Sequence, residues 1–182
     1  MVLSKQEYQQ YLGVHLRLLY YCFCKKHKFT KGLSFDQFVK KPMDVKFEAR
    51  NFFNQNSSLL NEFLDENGHM GDSDKELLLG FNRKVSSKFV ILKQLKSNAI
   101  FMDIHSDKFY AVQALSDSFQ EIIESIPVLV ETTILPFGDK IIYDGFLIRE
   151  TYIGKNMEKN MLDQYKEAKS KKMIIKSIAS EQ

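Results

Sequence analysis

The sequence predicts an α+β protein: an N-terminal helical segment, then a mostly antiparallel sheet with two flanking helices. Two observations carry the prediction. Through the first third of the chain, apolar residues recur every three or four positions, the period of a helix with one buried face. Near Val85 the pattern changes to short runs rich in β-branched and aromatic residues, separated by turn-forming clusters. Helices first and a sheet afterwards is the order of an α+β chain, which places a boundary near residue 84. Residues 1–84 form the helical region, and 85–182 the α+β region expected to pack with it as one unit.

In the first helix Tyr8, Tyr11, Leu12, His15, Leu18, Leu19 and Cys22 share one face. Gly32 closes the basic segment that follows. Ser34 with Gln37 reads as a capping box, and Pro42 interrupts the short helix it opens. A further helix is expected from about Asp44, with Val45, Ala49, Phe52 and Phe53 inward. Ser58 is the expected cap of another, carrying Leu59, Leu60, Phe63 and Leu64. The stretch ENGHMGDSD reads as a loop, and Ser73 with Glu76 as a second capping box. The segments KFVILKQL, NAIFMDI and KFYAVQAL are then three strands of a meander, punctuated by Lys96-Ser97-Asn98 and Ser106-Asp107. A short helix capped by Asp117 carries Phe119, Ile122, Ile123 and Ile126. VLVETTILPF and KIIYDGFLIR are two more strands. A last helix carries Met157, Met161, Leu162 and Tyr165, and MIIKSI adds a short final strand.

The most patterned stretch is LPFGDKIIYDG, Leu135 to Gly145. Gly138-Asp139 is a two-residue connection with glycine first, the preference of a type II′ hairpin turn. Adjacent Ile141 and Ile142 face opposite sides, so this strand is expected to be covered on both. Pro136 cannot donate a ladder hydrogen bond, which makes its strand an edge there or a bulge. Gly145 signals a bulge or close backbone approach that bends the strand at Asp144. Asp139, Lys140, Tyr143 and Asp144 are the candidate binding residues of the chain, with the polar tip Asp139-Lys140 the part most open to a ligand.

This stretch, preceded by FVILKQLKSNAIFM and FYAVQALSDSFQEII, resembles a poorly characterised bacterial family whose members carry an LPF-x-x-KIIYDG-like core. The resemblance covers roughly residues 10 to 178 in block order. Some relatives append a cysteine-rich segment of the SEC-C metal-binding type. This chain ends at Gln182 without one, so the resemblance carries no metal across and implies only a recurrent structural or binding feature at 135–145.

Motif chemistry is sparse. The sequence holds no GxGxxG, P-loop lysine motif or G-x-S-x-G elbow. His15, Cys22, Cys24 and His27 are metal-ligand types, but Cys24 points about 180° from His15 and Cys22 on a helix turning 100° per residue. No metal and no cofactor is therefore expected. Cys24 and His27 show no third partner for nucleophilic catalysis. Asp139 and Asp144, five residues apart across a turn and strand, are the paired carboxylates that acid–base work could use, and Asp103 ends an expected strand; Asp139 fits its turn because Asp tolerates the backbone angles there. A net charge of +3 is mildly basic, short of a dedicated nucleic-acid domain. Lysines cluster at 25, 26, 28 and 31, and again at 166, 169, 171, 172 and 176, with Phe101, Phe109 and Tyr110 as candidate exposed aromatics. The N-terminus lacks the layout of a secretory signal, no apolar run reaches membrane-spanning length, and two closely spaced cysteines point to a reduced, cytoplasmic protein. The expectation is a non-enzymatic interaction or regulatory module with a protein partner. The alternative is a nucleic-acid-binding protein of a mobile-element, phage or defence system, reached through the lysine clusters.

Overall fold

The computed structural model describes residues 2–28 and 32–178. Its contacts group into two compact units, Gln6–Asn82 on one hand and Met1–Lys5 with Arg83–Gln182 on the other. The architecture is α+β, with seven α-helices among the described residues and a six-stranded, mostly antiparallel sheet.

The helical unit is built from α1 (Lys5–His27), α2 (Phe35–Val39), α3 (Met43–Gln55), α4 (Ser58–Glu66) and α5 (Asp72–Gly80), ending in a 3₁₀ turn at Phe81–Arg83. The stripe on α1 enters the core as expected: Leu18, Leu19 and Cys22 are fully buried, and Leu12 is half-buried. Phe38, Ala49, Phe53, Leu60, Phe63, Leu78 and Phe81 complete this core. His15 is buried within it, 3.0 Å through Nδ1 from the Tyr11 hydroxyl and 5.3 Å from the Phe81 ring. Burial, reinforced by the nearby Arg50 charge, lowers its pKa to about 3, so the imidazole is neutral at ordinary pH.

Ser34 and Gln37 form the expected reciprocal capping box. Three other caps differ from expectation. Helix α4 starts one residue early, with Ser57 at the cap and Ser58 inside. Helix α5 starts at Asp72 with Gly71 as cap, which puts Ser73 within the first turn, donor-bonded to by Gln10. The third is Asp117, discussed below.

In the second unit the strands are β1 (Val85–Gln94), β2 (Ala99–Asp103), β3 (Phe109–Gln113), β4 (Val128–Phe137), β5 (Lys140–Tyr143) and β6 (Ile148–Tyr152). The meander β1-β2-β3 is present. Beyond it, β3 pairs in parallel with β5, β5 with β4, and β4 with β1 along seven residue pairs. The order β1-β2-β3-β5-β4-β1 therefore closes on itself. This is the connectivity of a five-stranded Greek-key barrel of the OB type. Strand β6 lies outside that ring on β4, with all five residues exposed.

Closure explains why the strands are buried on both faces. Phe89, Phe101, Phe119 and Tyr143 form a chain of ring contacts at 5.3–5.9 Å, and Tyr110 joins Phe89 edge-on at 6.1 Å. The alternate residues Val90, Leu92, Ile100, Met102 and Phe109 form a second cluster, covered by Tyr165 and Ala168 of α7 (Lys155–Ser170). After α7 the chain returns to the sheet, but only as a single bridge in which Ile175 exchanges backbone hydrogen bonds with Phe109 and Ala111. MIIKSI thus supplies one bridging residue rather than a strand. The helix expected after β3 is a single turn, α6 (Phe119–Ile122). Its cap is Ser118, not Asp117, through a capping box with Glu121. KIIYDGFLIR is divided at Asp144-Gly145 into β5 and β6, both of which pair with β4.

Candidate functional site

The hairpin at 135–145 is built as its sequence implies. Gly138 takes φ 57°, Asp139 does not share it, and Phe137 pairs with Lys140 across the two-residue turn. Pro136 lies beyond the last residue of β4 that β1 reaches, Ile134, so no β1 partner needs its missing N–H. Ile141, Ile142 and Tyr143 are buried.

The four candidate residues divide into two pairs with different surroundings. Asp139 is exposed and Lys140 half-buried at the tip. Tyr143 is buried against Phe119 at 5.4 Å. Asp144 is also buried, its carboxylate accepting from the Phe146 N–H at 3.1 Å and facing the Thr132 hydroxyl at 3.4 Å. A side chain accepting from the backbone two residues ahead is an Asx turn. Gly145 fits that turn because its φ is 90°, and a Cβ there would sit 3.4 Å from Leu115 Cδ1. Thr132 closes the arrangement by donating to the Phe146 carbonyl at 2.7 Å. The second acid-glycine pair is thus a buried staple between β5 and β6.

Asp103 does the same work at the end of β2. Its carboxylate accepts from Ser87 at 2.7 Å, Ser106 at 2.6 Å and the His105 N–H at 3.1 Å. Burial alone would raise its pKa; the three donors outweigh that and hold the carboxyl below its usual range. The candidate exposed aromatics also turn inward. Phe101, Phe109 and Tyr110 are all buried, because closure covers one sheet face and α7 the other.

A feature the sequence reading passed over lies in the helical unit. Arg17, Tyr20, Tyr21, Cys24, Lys25 and Lys28 follow one another at spacings of three, one, three, one and three along α1 and its end. That spacing makes a second stripe, distinct from the one that enters the core. With Phe35, Phe63, Glu66 and Asn67 it lines an open groove of ≈880 Å³. Tyr20 packs on Phe35 at 5.8 Å and Tyr21 on Phe63 at 5.2 Å. The neutral polar groups of the wall are already engaged. The Tyr20 hydroxyl donates to the Leu33 carbonyl at 2.6 Å, that of Tyr21 to Glu66 at 2.8 Å, and the Asn67 amide to the Phe63 carbonyl at 2.9 Å. Lys25 lies 4.8 Å over the Tyr21 ring and pairs with Glu62 and Glu66. Hydrogen bonds from Tyr21 and Lys25 hold the Glu66 carboxyl below its usual range. Arg17 and Lys28 have no ion pair among the described residues.

The remaining candidates are dispersed. Cys22 is in the core while Cys24 is in the groove. His27 stacks on Phe23 at 4.4 Å and approaches Glu48 at 3.4 Å. Among the described residues no group of three or more His, Cys, Asp or Glu could hold a metal ion. Of the lysine clusters, Lys26 pairs with Glu48, Lys166 with Asp163 and Lys171 with Glu167, while Lys31 lies outside the described residues. No described helix is long and apolar enough to cross a membrane. No family model, curated protein or solved structure matches the chain.

Proposed function

We propose that the protein is a non-enzymatic interaction module that docks a partner protein in the groove along α1. The observation that carries this reading is the groove itself. Four aromatic residues, Tyr20, Tyr21, Phe35 and Phe63, line an open concavity of a size suited to side chains of a partner. Large aromatics with a polar rim are what dominate docking surfaces energetically. The carboxylates that acid–base chemistry would use support the reading from the other side, since Asp103 and Asp144 are committed to turns.

Nucleic-acid binding is the second reading, favoured by the barrel connectivity, because OB-type barrels bind oligonucleotides on their strand 2–3 face. Fold analogy alone does not assign function. Here the outward residues Ile100, Met102 and Phe109 of that face lie under α7.

One experiment separates the two. Cys24 is partly exposed in the groove while Cys22 is buried, so a thiol-reactive photocrosslinker can be placed on Cys24. Crosslinking in cells should give a nuclease-resistant adduct of higher mass than the chain alone, with Cys24→Ser as the unlabelled control. A nuclease-sensitive adduct supports the nucleic-acid reading, and no adduct removes the groove as the docking place.

A further inference from the structure

The chemistry left unspent on the groove wall specifies what kind of segment fits it. The hydroxyls of Tyr20 and Tyr21 and the Asn67 amide are engaged, so the wall offers ring surface rather than hydrogen-bonding groups. Lys25 is held by Glu62 and Glu66. What remains is apolar area between two cations, Arg17 and Lys28, neither with an ion pair among the described residues. An apolar groove bounded by uncompensated positive charge complements an apolar anchor bounded by negative charge.

Geometry adds a length. Arg17 and Lys28 are eleven positions apart. At 1.5 Å per residue their backbone positions fall about 16 Å apart along the helix axis, Lys28 standing one residue past the end of α1, and both side chains line the groove. An extended chain advances about 3.3 Å per residue and repeats its facing every second residue. Two carboxylates and an anchor on one face of an extended segment would therefore fit the two cations at a separation of about four or six positions, with the anchor an even number of positions from each.

We propose that the groove recognises an acidic protein segment: an aromatic or large aliphatic anchor flanked by two carboxylates about four or six residues apart. The anchor occupies the concavity between Tyr20, Phe35 and Phe63, while the flanking carboxylates meet Arg17 and Lys28. This rests on the groove being a docking surface and adds the chemistry of its occupant.

The test uses the full chain and labelled synthetic peptides in a Gly-Ser background, read by fluorescence anisotropy. The reference peptide carries two Glu four apart with Phe midway, so that all three face one side of an extended chain. Its binding should weaken about tenfold or more when both Glu become Gln, when Phe becomes Ser, or when the protein carries Arg17→Glu with Lys28→Glu. Equal binding of the Gln peptide overturns the charge requirement, and equal binding of the Ser peptide overturns the anchor. A circular-dichroism melt of the double variant guards against loss by unfolding; the single variants Arg17→Gln and Lys28→Gln provide the same comparison if it melts early. An oligo-dT single strand that binds through Arg17 and Lys28 without competition from the peptide overturns the proposal in favour of nucleic acid. If Cys24 crosslinks a protein partner but no acidic peptide binds, the occupant chemistry is wrong and the docking surface stands. If neither occurs, both fall.

Discussion

The hairpin at 135–145 and the groove on α1 treat similar residues in opposite ways. Both combine tyrosine, acids and lysine. In the hairpin, Tyr143 is buried against Phe119 of α6 and Asp144 bonds to the backbone of its own turn. In the groove, Tyr20 and Tyr21 stay half-exposed, and two cations have no ion pair among the described residues. A conspicuous motif can thus be conspicuous because its turns are demanding. The proposed docking surface is marked instead by exposed ring area between two cations, Arg17 and Lys28.

The largest effect expected is in the core that supports the groove. Leu18 is fully buried on α1, so Leu18→Ala should cost about 2–5 kcal/mol in chemical denaturation. An unchanged unfolding midpoint would break the assignment of the inner stripe. Next comes the staple. Asp144→Ala leaves the Phe146 N–H without its acceptor and should cost about 1–3 kcal/mol. A loss below about 0.5 kcal/mol would mean that the carboxylate is not structural, and the contrast with the groove would weaken.

The helical core also carries a pH signature. The unfolded-state value for His15 is 6.5 and the folded value about 3, so the unfolded chain takes up the proton first as pH falls. The stability from keeping this imidazole neutral is complete above pH 6.5 and is lost progressively between 6.5 and about 3. By linkage, wild-type stability should drop by about 2 kcal/mol between pH 7.5 and 5 through this group. The lowered carboxylates Glu48, Glu66, Asp103, Glu121, Asp163 and Glu167 have reference values of 3.8 or 4.5, so most of their losses fall below pH 5. His15→Gln should flatten the slope between pH 7.5 and 5; an unaltered slope would count against a buried neutral imidazole.

Much of the fold was legible because it is local. The inner stripe of α1, the Ser34–Gln37 box and the II′ turn at Gly138 each depend on residues a few positions apart. Barrel closure was not legible, since pairing Val85–Ile91 with Val128–Ile134 and Val112 with Ile141 joins segments far apart in sequence. The burial of Phe101, Phe109 and Tyr110 follows from that closure and from α7. The groove was missed for a different reason. Lys25 and Lys28 read as a solvated helix end, which hid that Arg17, Tyr20, Tyr21 and Cys24 continue the same stripe upstream. The spacing was visible, but the aromatics from Phe35 and Phe63 that make it concave come from other helices.

The smallest stability effect belongs to the hairpin tip. Asp139→Asn and Lys140→Ala should each change stability by no more than about 0.5 kcal/mol, as substitutions outside the core usually do. A larger loss from either would mean that the tip, too, is structural.

The central claim is that the surface used by a partner is the groove and not the hairpin tip. Its most direct test is the yield of the protein adduct crosslinked in cells through Cys24, compared between Arg17→Glu/Lys28→Glu and Asp139→Asn/Lys140→Ala at matched protein levels. The account predicts that the groove pair loses most of the adduct while the tip pair keeps it. Loss by the tip pair with retention by the groove pair would contradict it and return the function to the hairpin.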